Sequence, residues 1–171
     1  MLNRISLRTW YLLVAICCLV LLCFALFVQY RLFLDPCPLC ILQRLAFIWI
    51  GAWALLAAIV NPGRGFSRLF SGLILLGAAG GAWVASRHVW LQHLPPDQVP
   101  ECGPGLNYML DTLPFTDVLR EVLFGSGSCA EVKWTLLGLS MPNWTLIWFI
   151  VLGSGTLWFT VRAGRRAKAE R

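Results

Sequence analysis

Charge is scarce in this sequence. Of its 171 residues, 13% are Asp, Glu, Lys or Arg and 58% are hydrophobic, whereas soluble domains carry about a quarter charged residues. The shortage excludes an ordinary water-soluble domain and indicates a small polytopic membrane protein, with residues 1–171 forming a single membrane domain. Strict alternation of apolar and polar residues is also missing. A transmembrane barrel needs that alternation, so the spanning elements are expected to be helices. No small-x-small cleavage site follows the first apolar run, which is too long for the core of a signal peptide, and it is therefore read as a retained helix. A second C-x-x-C is lacking too, which argues against a zinc knuckle and leaves the metal set empty.

What the chain does have is four continuous apolar runs. They place crossings at about 10–28, 41–60, 69–85 and 144–161, near the length needed to traverse the hydrocarbon core. The expected fold class is all-α, a four-transmembrane-helix bundle. Asn61-Pro62-Gly63 supplies helix breakers at the end of the second run. Gly51, Ala52, Ala54, Ala57 and Ala58, and later Gly77, Ala78, Ala79, Gly80 and Gly81, give the small faces on which helices pack closely.

Four crossings put both termini on one side, and the charges say which. Arg4, Arg8, Arg64, Arg68, Arg162, Arg165, Arg166, Lys168 and Arg171 face a single acid, Glu170, on the side of the termini. The opposite side, including the helix mouths, has Arg31, Arg44, Arg87, Arg120 and Lys133 against Asp35, Asp97, Glu101, Asp111, Asp117, Glu121 and Glu131. The positive-inside rule assigns the N-terminus, the 61–68 turn and the tail to the cytoplasm, and loops 29–40 and 86–143 to the outside. The net charge of +6 and pI near 9.2 then reflect topology and attraction to anionic lipid, so no nucleic-acid role is called for. Within the second loop, Phe115, Val118, Leu119, Val122 and Leu123 recur at helical spacing with polar residues opposite, the pattern of a short amphipathic helix.

The seven cysteines divide by this topology. Cys17, Cys18 and Cys23 sit in the first run among apolar neighbours and are read as inert thiols. Cys37, Cys40, Cys102 and Cys129 all fall outside, where disulfides persist. Two disulfides, one tight and one long-range, is the preferred reading. Cys102 lies within residues 94–105, a stretch dense in proline and glycine, and is expected on an irregular, mobile segment, and Cys129 follows Gly125-Ser126-Gly127-Ser128, a flexible hinge. Pro36 suits the start of a helix, so Cys40 is expected in the first turn of the segment beginning at Ile41, where exposed N–H groups and the helix dipole favour a thiolate. Arg44 follows at i+4 on the same face, one turn deeper. An arginine there is either interfacial and snorkelling or functional, and a reactive cysteine one turn above favours function.

Cys37-Pro38-Leu39-Cys40-Ile41-Leu42-Gln43-Arg44, the two loop cysteines, Gly127-Ser128-Cys129-Ala130-Glu131 and Leu137-Gly138-Leu139-Ser140-Met141-Pro142-Asn143-Trp144 together resemble the DsbB family of disulfide bond formation proteins, over nearly the whole chain. The resemblance implies a multi-pass protein of the bacterial inner membrane with its active site on the periplasmic side. The implied activity is that of a protein-disulfide:quinone oxidoreductase that reoxidises the thioredoxin-fold partner DsbA and passes the electrons to ubiquinone or menaquinone. It further implies that Cys37/Cys40 is the quinone-coupled pair and Cys102/Cys129 the pair that takes electrons from the partner. Cys102 would form the mixed disulfide and Cys40 would face the quinone. Arg44 matches the family's quinone-proximal arginine, His88 resembles a histidine near the quinone, and Met141 and Trp144 align close to the same site. For His88 the alternative is an ordinary interfacial residue. Gln43, where the family often has an acid, and Pro38 depart from the family pattern. Two rival readings are a paralogue serving a dedicated partner and a non-enzymatic membrane scaffold stapled by its disulfides.

Overall fold

The computed structural model describes residues 6–32, 37–95, 130 and 135–169. Four helices carry the architecture: α1 over Leu7–Leu32, α2 over Pro38–Val60, α3 over Arg64–Gln92 and α4 over Met141–Ala169. A two-stranded antiparallel hairpin, β1 (Thr135–Leu136) with β2 (Leu139–Ser140), precedes α4. Each helix contains a segment long and apolar enough to cross a membrane. The chain is thus a four-helix membrane bundle. Residues 96–129, which include the expected amphipathic helix, Cys102 and Cys129, lie outside the described residues.

Each helix extends beyond the apolar run that revealed it. The third starts at Arg64 and runs to Gln92, where the sequence placed it at 69–85, and the fourth starts at Met141 and continues to Ala169. Hydropathy marks the part of a helix that meets hydrocarbon, while backbone hydrogen bonding continues through polar residues at either end. The second helix begins at Pro38, ahead of Ile41. Proline fits the first turn because its missing N–H would have no helical acceptor there. Its far end is closed by Asn61 in the left-handed conformation, whose N–H returns to the Ala57 carbonyl at 3.1 Å. The hairpin was not legible in advance: Leu137 and Gly138 both take positive φ, as a two-residue turn matched to strand twist requires, and leucine does so against its preference.

Helices α1, α2, α3 and α4 pack in sequence, with α1 also touching α4. Apolar side chains such as Leu19, Phe27, Ile59, Leu76 and Ile150 point outward, the inverse of a soluble protein. The interior holds Tyr11, Val14, Cys18, Phe47, Ile50, Ala54, Ala57, Ile74, Ala78, Ala85, Phe149 and Leu152. At its centre the rings of Phe47 and Phe149 stack at 4.2 Å. Gly81 makes that possible, because a Cβ there would lie 2.4 Å from the Phe149 ring. Gly155 likewise admits Trp10, which stacks on Phe159 at 4.5 Å.

The two ends of the bundle differ in chemistry. At one end the Tyr11 hydroxyl meets Ser67 and Ser71, Thr160 donates to Ser71 at 2.8 Å, and Arg8 donates to the Ala58 carbonyl at 2.9 Å. Such bonds join helices where the apolar surroundings give little preference for one packing over another. The other end carries the thiol pair.

Candidate redox site

The site is assembled where α2 begins, α3 ends, α4 begins and α1 ends. Cys37 is the N-cap of α2, with extended backbone, and its sulfur accepts the Cys40 N–H at 3.3 Å. Cys40 is the third residue of the helix, so the two side chains come together across the first turn, with Sγ atoms 2.9 Å apart as thiols. The sequence placed Cys40 in the first turn and it is there, although Pro38, not Pro36, occupies the first helical position. The exposed amides of the turn therefore act first on Cys37. Leu39 and Leu91 are fully buried beside the pair, packed with Leu42, Val84 and Leu94. That packing holds the C-x-x-C against the end of α3.

His88 is the residue whose position changes most. With α3 extended to Gln92 it belongs to a helix and is only 3% exposed, and its Nε2 lies 3.7 Å from the Cys37 sulfur. An ordinary interfacial histidine would face water. Its Nδ1 lies 3.2 Å from the amide nitrogen of Gln43, and the Gln43 oxygen accepts the Thr145 hydroxyl at 2.8 Å. One polar chain thus crosses from α4 through α2 to α3 and ends on a cysteine. Neither Gln43 nor Thr145 was expected as part of the site. The available signal for Gln43 was a lone uncharged polar residue at i+3 from Cys40 in an apolar run, which needs a partner when buried.

Arg44 takes the opposite side of α2. It donates to the side chain of Gln29 and to the Ala25 carbonyl on α1, the latter at 3.3 Å. Half-buried near the end of the bundle, it is anchored to α1 and not merely extended toward the headgroups. Met141 opens α4 and is half-buried, while Trp144 donates its indole N–H to the Leu136 carbonyl at 3.1 Å and so holds the hairpin. Ser140 bridges to Gln92 at 2.6 Å and accepts from Asn143 at 2.9 Å, tying the hairpin to the end of α3. The structure therefore brings Cys37, Cys40 and His88 together, sets Arg44 one turn deeper toward α1, and gives Trp144 a bond to the hairpin. Cys102 and Cys129 lie outside the described residues.

Cys37, Cys40 and His88 offer three soft donors within 4.8 Å of one another. Two thiolates on a tetrahedral zinc, with Zn–S of about 2.3 Å, would stand about 3.8 Å apart. The observed 2.9 Å is closer than that and suits a pair that alternates between dithiol and disulfide.

Membrane-length helices in a bundle, with a close thiol pair at one end, define a multi-pass membrane protein built for thiol–disulfide chemistry. Comparison with known proteins is specific. The family model for "Disulfide bond formation protein DsbB" matches residues 7–159. The Disulfide bond formation protein B of Chromobacterium violaceum is 47% identical over 162 residues, covering 95% of this chain and 98% of that protein. That of Acinetobacter baumannii is 47% identical over 159 residues, 91% of each chain, and that of Psychrobacter arcticus 54% identical over 134 residues, 75% of this chain and 74% of the other. The chain belongs to the DsbB family, and its role is in disulfide bond formation.

Proposed function

We propose that the protein oxidises a periplasmic dithiol partner of the thioredoxin fold, DsbA or a close equivalent, and passes the electrons through Cys102/Cys129 and Cys37/Cys40 to a membrane quinone, ubiquinone or menaquinone. The observation that carries this reading is the placement of the Cys37/Cys40 pair, 2.9 Å apart at the start of a membrane-length helix, with Arg44 one turn deeper. Disulfide stapling alone does not account for an arginine at that depth. The charge asymmetry of the chain favours the thiol end as the periplasmic face of the inner membrane.

The donor set suits a quinone. A guanidinium has five N–H donors, and the two bonds to α1 use one on each terminal nitrogen, so cationic N–H donors remain one turn below Cys40. When bound, the quinone supplies a lipid-soluble sink for two electrons. The chain's own residues do the rest. A thiolate of the reduced partner attacks the Cys102/Cys129 disulfide, and a second partner thiol resolves the mixed disulfide. The reduced loop pair then exchanges with the Cys37/Cys40 disulfide, breaking that bond and closing its own. Cys40, in the first turn, is the cysteine on the helix face that Arg44 shares one turn on. Arg44 favours negative charge developing next to it through a charge-assisted hydrogen bond. Leu39 and Leu91 shield the pair from water.

The test is to trap the partner and locate the pair. A Cys129→Ser variant is expected to accumulate a mixed disulfide through Cys102 with a thioredoxin-fold protein, and Cys37 and Cys40, once reduced, are expected to react with a membrane-impermeant thiol reagent added from the periplasmic side. Labelling from the cytoplasmic side alone would refute the proposal.

A further inference from the structure

Gln43 is 3% exposed, as is His88, and the two are joined by a hydrogen bond 45 residues apart in sequence. A buried amide between a hydroxyl and an imidazole is a directional element. Its oxygen can only accept and its nitrogen can only donate. With the oxygen on the Thr145 hydroxyl, the nitrogen faces His88 Nδ1, which must then be the acceptor. A neutral imidazole that accepts at Nδ1 carries its proton on Nε2, and Nε2 is the atom 3.7 Å from the Cys37 sulfur.

Thr145 also lies 2.9 Å from the Pro142 carbonyl, so its single proton has two acceptors to serve and the amide has a reversed alternative. The redox cycle of the pair decides between them. In the reversed arrangement a bare Nε2 would face a sulfur that has no hydrogen to give once the disulfide has formed. With the proton on Nε2, the ring donates to Cys37 in both states, weakly to the disulfide and strongly to the thiolate. Among the described residues, Arg44 reaches toward α1, Arg87 lies over Trp90 at 4.6 Å, and no carboxylate occurs.

We propose that Gln43 and Thr145 are positioning residues that hold His88 as its Nε2–H tautomer, aimed at Cys37, and thereby raise the reduction potential of the Cys37/Cys40 pair. This deepens the reading that the pair cycles between dithiol and disulfide. The hydrogen bond is stronger to the thiolate than to the disulfide, so it stabilises the reduced form, and a dithiol stabilised in its reduced form is a stronger oxidant.

The chain supplies its own reference. Its second histidine, His93, places Nδ1 2.8 Å from the Val89 carbonyl, and since a carbonyl only accepts, His93 must carry its proton on Nδ1. Long-range 15N spectra of the full-length protein in detergent, with a His93→Gln variant to assign the two rings, are expected to show opposite tautomers, Nε2–H for His88 and Nδ1–H for His93. A proton on His88 Nδ1 would overturn the proposal whatever the enzyme's turnover. Gln43→Glu, whose carboxylate only accepts, is expected to put a proton on His88 Nδ1. A His88 spectrum unchanged by that substitution would show that residue 43 does not set the ring. Equilibration with glutathione, in which two glutathione thiols reduce the Cys37/Cys40 disulfide to the dithiol and leave one oxidised glutathione, reads the potential. Gln43→Leu is expected to shift this equilibrium about tenfold toward the disulfide, which is about 30 mV for two electrons, while Thr145→Ser keeps the wild-type value. A shift under about threefold, or one toward the dithiol, would refute the redox consequence; unaltered potentials alongside failed partner trapping would instead point to the functional reading itself.

Discussion

Gly81→Ala is a test of how firmly the bundle holds its polar chain. A Cβ at residue 81 would stand 2.4 Å from Cε1, 2.5 Å from Cζ and 2.8 Å from Cδ1 of Phe149. Carbon atoms settle at about 3.5–4.0 Å, so the ring must move by roughly 1 Å. It cannot move freely, because its face lies on Phe47 at 4.2 Å. Overpacking of this kind typically destabilises by about 1–3 kcal/mol. At about 2–4 °C per kcal/mol for a chain of this size, the thermal midpoint in detergent should fall by roughly 5 °C. The displacement also has a functional address. Phe149 is one turn beyond Thr145 on α4 and Phe47 one turn beyond Gln43 on α2, so parting the rings pulls at the 2.8 Å bond between Thr145 and Gln43. Turnover should therefore fall with stability, and Phe149→Leu in the same chain should recover most of both. A Gly81→Ala protein that melts at the wild-type temperature with wild-type turnover would refute the reasoning.

Arg44→Ala removes both bonds to α1 and the cationic donor one turn below Cys40, and turnover at limiting quinone should drop about tenfold, equivalent to about 1.4 kcal/mol, while both disulfides still form; unchanged turnover would take Arg44 out of the mechanism. Tyr11→Phe deletes the hydroxyl shared with Ser67 and Ser71 at the opposite end of the bundle. Interhelical bonds in membranes average about 0.6 kcal/mol, so the thermal midpoint should drop by a degree or two with quinone reduction intact. Cys17→Ala together with Cys23→Ala should leave turnover unchanged, measured as the rate of partner reoxidation, because both are free thiols within α1 and not part of the C-x-x-C.

The crossings were legible because hydrocarbon imposes a simple demand: about twenty apolar residues in succession. The Cys37/Cys40 pair was legible for a comparable reason, since two cysteines three apart at a helix start can scarcely avoid each other. Helix ends were less so. Residues such as Arg87, His88 and Gln92 read as loop by composition, yet they continue α3, and the burial of His88 follows from that continuation. Gln43 and Thr145 were hidden because their meaning is tertiary: they lie on different helices, 102 residues apart, and pattern within one helix does not announce a bond between two. Leu137 gave no warning of its positive φ, since leucine has no preference for that region.

The most direct measurement couples the two ends of the relay. Purified protein in lipid is supplied with a quinone and the reduced thioredoxin-fold partner, and dithiol loss and quinone reduction are followed together. One quinone reduced for each dithiol oxidised, with both signals abolished by Cys37→Ser or Cys40→Ser, is the expected result. Continued oxidation of the partner by the Cys37→Ser/Cys40→Ser protein, with quinone still reduced, would contradict it.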